Sequence, residues 1–173
     1  MGGRSAGPGA GCRKAGGADP MSERPQGRVA GIDYGTVRIG VAVSDPQRRI
    51  ASPYENYTRR DQAQDRRRFR RLVEEEQIAL FVVGLPVHLD GRESRKSTEA
   101  RQFGRWLAEA TGVPVEFYDE RFTSHEAEQT LLDAQMTKKR RKKRLDMLAA
   151  QIMLSAYLES AGGGPPGSLD DSP

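Results

Sequence analysis

Three carboxylates stand where a simple surface role explains them poorly as a set: Asp33, Glu120 and Asp146. Asp33 closes the apolar stretch RVAGID, Glu120 follows VPVEFYD, and Asp146 opens the helical stretch DMLAAQIMLSAYL. Singly, each has an ordinary explanation. Asp33 can form the turn before Gly35, Glu120 can pair with Arg121, and an acid in the first turn of a helix is favoured by the dipole. Taken together, two strand ends and a helix start can gather hard oxygen ligands around Mg2+ or Mn2+. Two such ions ~3.5–4 Å apart activate a water and stabilise the leaving oxygen in an in-line attack on phosphate. Asp119 adjoins Glu120, so either can be the inward ligand; Glu120 is preferred.

Other chemistries lack their residues. Cys12 is the only cysteine, and His88 and His125 have no zinc-ligand spacing. No GxxxxGK[ST] loop is present, Gly31, Gly35 and Gly40 do not form GxGxxG, and no motif supports a Ser–His–Asp triad.

The charge distribution agrees with phosphodiester chemistry. Lys138, Lys139, Arg140, Arg141, Lys142, Lys143 and Arg144 form an unbroken basic run just before Asp146. Between Met21 and Leu158 there are 25 basic and 20 acidic residues, and without that run the balance falls to −2. The basic excess is therefore assigned to one segment, read as a mobile arm between two helices. It would add salt-sensitive, largely sequence-independent affinity for a phosphate backbone. It has no interleaved aromatics, so base stacking is not indicated. Arg38 and Arg121 lie near the acids and can contact phosphate or orient a carboxylate. Thr36 and Ser44 are read as turn and strand residues.

The elements that must position these groups follow from periodicity. Residues 28–34 and 38–45 read as strands joined around Tyr34-Gly35-Thr36, with Gly35 supplying positive φ, and a third strand follows over 51–58. Asp61 caps a helix to about Glu76 with Phe69, Leu72 and Val73 on one side. The continuous apolar run Ala79–Val83 reads as a central strand covered on both faces. The Gly84–Gly91 loop after it can contact substrate or be a structural turn. A helix follows over Ser94–Thr111, with Phe103, Trp106, Leu107 and Ala110 inward and Gly112 ending it. Val113–Tyr118 is the last strand. Thr123 or Ser124 caps a helix carrying Ala127, Leu131 and Leu132. The final helix runs from about Arg144 to Ser160, with Leu145, Leu148, Ala149, Ile152 and Ala156 as its buried stripe. This order predicts an α/β fold, a mixed sheet with helices packed on it.

GIDYGTVRIGVAVSD (31–45), VVGLPVHLDG (82–91), DERFTS (119–124) and LDMLAAQIMLSAYL (145–158), in that order, resemble the YqgF/RuvX family of pre-16S ribosomal RNA nucleases, also described as Holliday-junction-resolvase-like. The resemblance covers residues 28–159. It implies a ribonuclease-H-like fold: a five-stranded mixed sheet, the first three strands antiparallel, flanked by helices. It also implies a metal site on Asp33, Glu120 and Asp146, and a cytoplasmic role at the 5′ end of the small-subunit ribosomal RNA precursor. Two positions depart from the family pattern: His88 stands where Asn is usual, and DERFTS replaces DERLTT. The alternatives are a resolvase of branched DNA and a ribosome-assembly factor that binds RNA, or the pre-ribosomal particle, without catalysis.

The rest of the chain sets boundaries. Residues 1–27 and 161–173 are rich in Gly and Pro or Ala and lack apolar periodicity, so both are expected to be disordered around a nuclease domain at 28–160. The leader has no apolar h-region of a secretory signal, and Met21 is an alternative start. No apolar run reaches the ~20 residues a membrane span needs.

Overall fold

The computed structural model describes residues 26–86, 94–119 and 138–161, with side chains in the last segment described from Met147 to Ser160. Its elements are β1 (Arg28–Asp33), β2 (Arg38–Ser44), β3 (Ala51–Thr58), α1 (Gln62–Glu76), β4 (Ile78–Leu85), α2 (Arg95–Thr111), β5 (Val115–Asp119) and α3 (Lys138–Ala161). The strand order is β3-β2-β1-β4-β5. β1, β2 and β3 pair antiparallel, while β1–β4 and β4–β5 are parallel. This is the five-stranded mixed sheet that the sequence predicts. Residues 1–25 of the expected leader and 162–173 of the expected tail, His88 and the rest of its loop over 87–93, and the helix after Thr123 lie outside the described residues, while Ala161, expected in the tail, is the last residue of α3.

Local chemistry explains the boundaries. Asp61 caps α1 by accepting from the Gln64 N–H at 2.8 Å, and Gln77 ends it in the left-handed region at φ 52°. Ser94 caps α2, and Gly112 at φ 74° ends it, its N–H donating to the Ala108 carbonyl. Both helices pack on one face of the sheet. There Phe69, Leu72, Phe103 and Leu107 cover Ala30, Ile32, Val41 and Val83. α3 covers the other face, with Ala150, Met153, Leu154 and Tyr157 against Val29, Ala42 and Val82. β4 is buried on both sides, as its unbroken apolar run predicts.

Three expectations are corrected. The described buried stripe of α3 is Ala150, Met153, Leu154 and Tyr157; Ala149 is exposed, Leu148, Ile152 and Ala156 are half-buried, and the Leu145 side chain lies outside the described set. The helix is apolar on most sides, so periodicity alone does not select the face; a close approach to the sheet does. Gly31 of β1 meets α3 directly: a Cβ there would lie 2.8 Å from the Leu154 Cβ and 3.1 Å from the Ala150 carbonyl oxygen.

Second, the basic run is not a connecting arm. Lys138–Arg144 are the first seven residues of α3, continuous with its apolar part. Lys and Arg are good helix formers, and charge by itself does not end a helix. Third, Gly35 does not adopt positive φ. It serves close approach instead, since a Cβ there would come within 2.3 Å of the Arg38 carbonyl oxygen.

Gly31→Ala is expected to force α3 off β1 and to lower stability by ~1–3 kcal/mol, the usual cost of overpacking. A lower urea midpoint with an unchanged m-value checks this.

Candidate active site

The strands converge at one end of the sheet. β1 ends at Asp33, β4 at Leu85 and β5 at Asp119, and the parallel pairing (Ile32 with Val83, Leu85 with Asp119) brings these ends level. The same end receives the start of β2 at Arg38, which pairs with Thr58 at the end of β3. Strand ends of α/β sheets are where ligand-binding residues collect.

Alternation along β1 decides which way Asp33 faces. Ala30 and Ile32 belong to the core under α1 and α2, while Val29 and Gly31 meet α3. Asp33 continues the second set, so it lies on the α3 face, half-buried. One step along the sheet it is level with Gly84 and Tyr118, themselves register partners. In β5, Tyr118 lies on the α3 face and Phe117 on the other. Asp119 therefore falls on the α1/α2 face, opposite Asp33.

The remaining proposed groups divide as follows. Arg38 opens β2 beside Asp33's end, half-buried. Glu120 and Arg121 lie outside the described residues. Asp146 is in α3, but it is the ninth residue of that helix rather than part of its first turn, so the helix dipole does not account for it. Its side chain, like those of Lys138–Arg144, is outside the described set. Among the described residues no three His, Cys, Asp or Glu side chains gather into a metal-sized group. The proposed donors are all carboxylate oxygens, and that chemistry suits Mg2+ or Mn2+. Ser44 is structural: its Oγ accepts from the Val29 N–H and donates to the Asp45 carbonyl, both at 2.9 Å. Thr36 is exposed in the turn.

A charged network beneath this end escapes the sequence reading. Asp65, in the first turn of α1, is only 1% exposed. Its Oδ1 accepts from the Tyr57 hydroxyl at 2.7 Å and from the Arg60 N–H at 2.9 Å, while its Oδ2 faces the Arg59 Nε at 3.4 Å. Arg59 then donates to the Tyr34 hydroxyl at 3.2 Å, and its guanidinium lies 5.6 Å from the ring centroids of both Tyr34 and Phe103. The Arg59 N–H also donates to the Val37 carbonyl. A buried carboxylate with three donors is thus tied to the turn that follows Asp33. The sequence does hold a signal: Asp65, Phe69 and Leu72 share one helical face, so Asp65 is an acid on a buried stripe.

Comparison with known proteins adds relatives. The family model described as "RuvX: Holliday junction resolvase" matches residues 27–160. A protein of Rhodopirellula baltica described as "Putative pre-16S rRNA nuclease" is 47% identical over 134 residues, covering 78% of this chain and 78% of that one. One of the same description from Koribacter versatilis is 40% identical, covering 79% and 89%. Among solved structures, T. thermophilus RuvC in complex with a Holliday junction substrate aligns with a TM-score of 0.50 over 80% of this chain and 98% of that one. At 17% identity the likeness is one of fold. No described helix is long and apolar enough to cross a membrane.

Removing Asp65 leaves the Tyr57 hydroxyl and the Arg59 guanidinium short of an acceptor. Asp65→Ala is expected to cost ~3–5 kcal/mol, seen as a fall in the denaturant midpoint. Burial, and then the hydrogen bond to Asp65, push the Tyr57 pKa up to about 12. Its contribution to stability is therefore full below the unfolded pKa of ~10 and is lost as pH rises toward 12. Tyr57→Phe should flatten the loss of stability between pH 10 and 12, read by denaturant titration at each pH.

Proposed function

The chain belongs to the RuvX family, and from that membership we propose that it is a phosphodiester-hydrolysing nuclease that trims the 5′ end of precursor 16S ribosomal RNA in the cytoplasm. The observation that carries the reading is the position of Asp33. It ends the central strand, on the face that α3 covers, and α3 is the helix whose sequence includes Asp146. With Asp119 on the opposite face, Glu120 is the preferred carboxylate after β5.

Asp33, Glu120 and Asp146 would hold one or two Mg2+ or Mn2+ ions, which when bound supply an activated water and neutralise charge on the leaving oxygen. Arg38, Arg121 and Lys138–Arg144 would neutralise backbone phosphates and fix the register of the strand being cut. Tyr34, held by Arg59, keeps the turn after Asp33 in place. The pre-ribosomal particle is the expected setting, since the relatives are described by that RNA. A branched-DNA resolvase is the second reading, favoured by the family's description. A catalytically silent assembly factor is disfavoured because all three acids are present.

Asp33→Asn should reduce cleavage by more than ~100-fold, beyond the loss typical of outer-shell partners, and leave nucleic-acid affinity intact. Purified precursor ribosomal RNA and four-way junction DNA, assayed side by side in Mn2+ and in chelator, provide the test. Equal cleavage by the variant and the natural protein would sink the role of Asp33. Cutting of the junction alone would move the assignment to DNA.

A further inference from the structure

Assigning the basic excess to Lys138–Arg144 overlooks a second concentration of charge. From Arg59 to Arg71 there are seven arginines, against Asp61 and Asp65. Four of the seven are engaged. Arg59 is held by Asp65 and Tyr34, Arg68 by Glu55, Arg70 by the Ala110 carbonyl and Arg71 by Glu75. The other three are exposed: Arg60, Arg66 and Arg67. Among the described residues none of these three has a carboxylate within ion-pair distance, and Arg60 reaches only the neutral Gln64. Asp61, exposed at the helix start, caps it with both oxygens taken by the Gln64 N–H and amide, and attracts Arg67 without closing an ion pair.

The topology fixes where this charge lies. β3 ends beside Arg38, at the Asp33 end of the sheet, and α1 begins four residues later. Helical side chains lean toward the N-terminus, so Arg66 and Arg67 reach back toward that end. α2 also starts there, with Ser94 bonded to the Pro86 carbonyl just after β4 and Lys96 exposed in its first turn. α1 and α2 lie on the sheet face opposite α3. Exposed arginine therefore stands at the strand ends on the face opposite α3, the helix that begins with the basic run.

We propose that Arg60, Arg66 and Arg67 form a second phosphate-backbone contact, which holds a structured nucleic acid across the end of the sheet from the side opposite α3. This deepens the nuclease reading and rests on it. Arginine suits the task because its planar fork grips phosphate oxygens bidentately. The outward side of α1 offers no apolar stripe to insert into a lipid surface, since the exposed positions beside these arginines are Gln62, Ala63 and Glu74.

The test is binding without turnover. Affinities of the full chain for a base-paired RNA hairpin and for four-way junction DNA are measured by anisotropy in chelator, over a range of salt. The slope of log affinity against log salt should fall by ~1 for each phosphate contact removed, hence by ~2 in Arg66→Gln/Arg67→Gln. Affinity at fixed salt should fall roughly 10-fold or more. All three side chains are exposed, so thermal stability should stay unchanged. Arg71→Gln is the control: it lies ~6 Å further along the helix than Arg67 and is already paired with Glu75. An unchanged slope in the double variant on both probes overturns the proposal and points to an acidic protein surface as the partner. An equal drop in Arg71→Gln also overturns it, by showing only a general effect of charge. Because no cleavage is read, the outcome is independent of whether Asp33→Asn retains activity.

Discussion

The close contact between β1 and α3 at Gly31 is the constraint on which the rest depends. β1 is the middle strand, and it is covered on both faces. On one side Ala30 and Ile32 sit under α1 and α2; on the other the missing side chain of Gly31 lets the backbone of α3 come down at Ala150. That approach selects which side of the largely apolar part of α3, after its basic start, is buried. It also sets the relation between the strand ending in Asp33 and the helix containing Asp146. Ordinary apolar burial of ~25 cal/mol per Å2 would be satisfied by several rotations of such a helix. Steric fit at one glycine distinguishes them.

Much of the architecture was legible because the local signals are strong. Alternation in β2, the unbroken apolar run of β4, the Asp61 and Ser94 caps and Gly112 gave these elements within a few residues. The mixed sheet followed from the order of the elements, and its ribonuclease-H-like form from the family resemblance. What was missed has one common cause: it depends on a partner distant in sequence. The buried side of α3 depends on Gly31, more than a hundred residues away. The compact turn at Gly35 is set by contact with the Arg38 carbonyl and not by a special φ. Net charge also misled. Subtracting one run hid Arg59–Arg71, because the acids that lower the total lie elsewhere on the chain.

The candidate site was legible in part. Asp33 was singled out for sitting on an interior strand, and its half-buried position at a strand end fits that reasoning. Glu120 was preferred to Asp119 from sequence, but the side that each takes turns on how β5 packs. With Tyr118 packed against Tyr157 of α3 at 5.9 Å between ring centroids, β5 has a definite inside and outside, and Asp119 takes the opposite side from Asp33. Asp65 was passed over because an acid near a helix start is usually read as a favourable dipole contact. Its place on the Phe69–Leu72 stripe outweighs that reading.

The Asp65 network has a consequence for the cost of binding. Its carboxylate ties the end of β3 to the first turn of α1, through Tyr57 and the Arg60 N–H. The backbone that carries Arg60, Arg66 and Arg67 is thus fixed before any ligand arrives. Side chains on a fixed helix forfeit only their own rotamer freedom when they grip a phosphate, ~0.5–1.5 kcal/mol each, with no segment left to order. A buried acid that never meets a polyanion would thereby strengthen its capture through preorganisation alone.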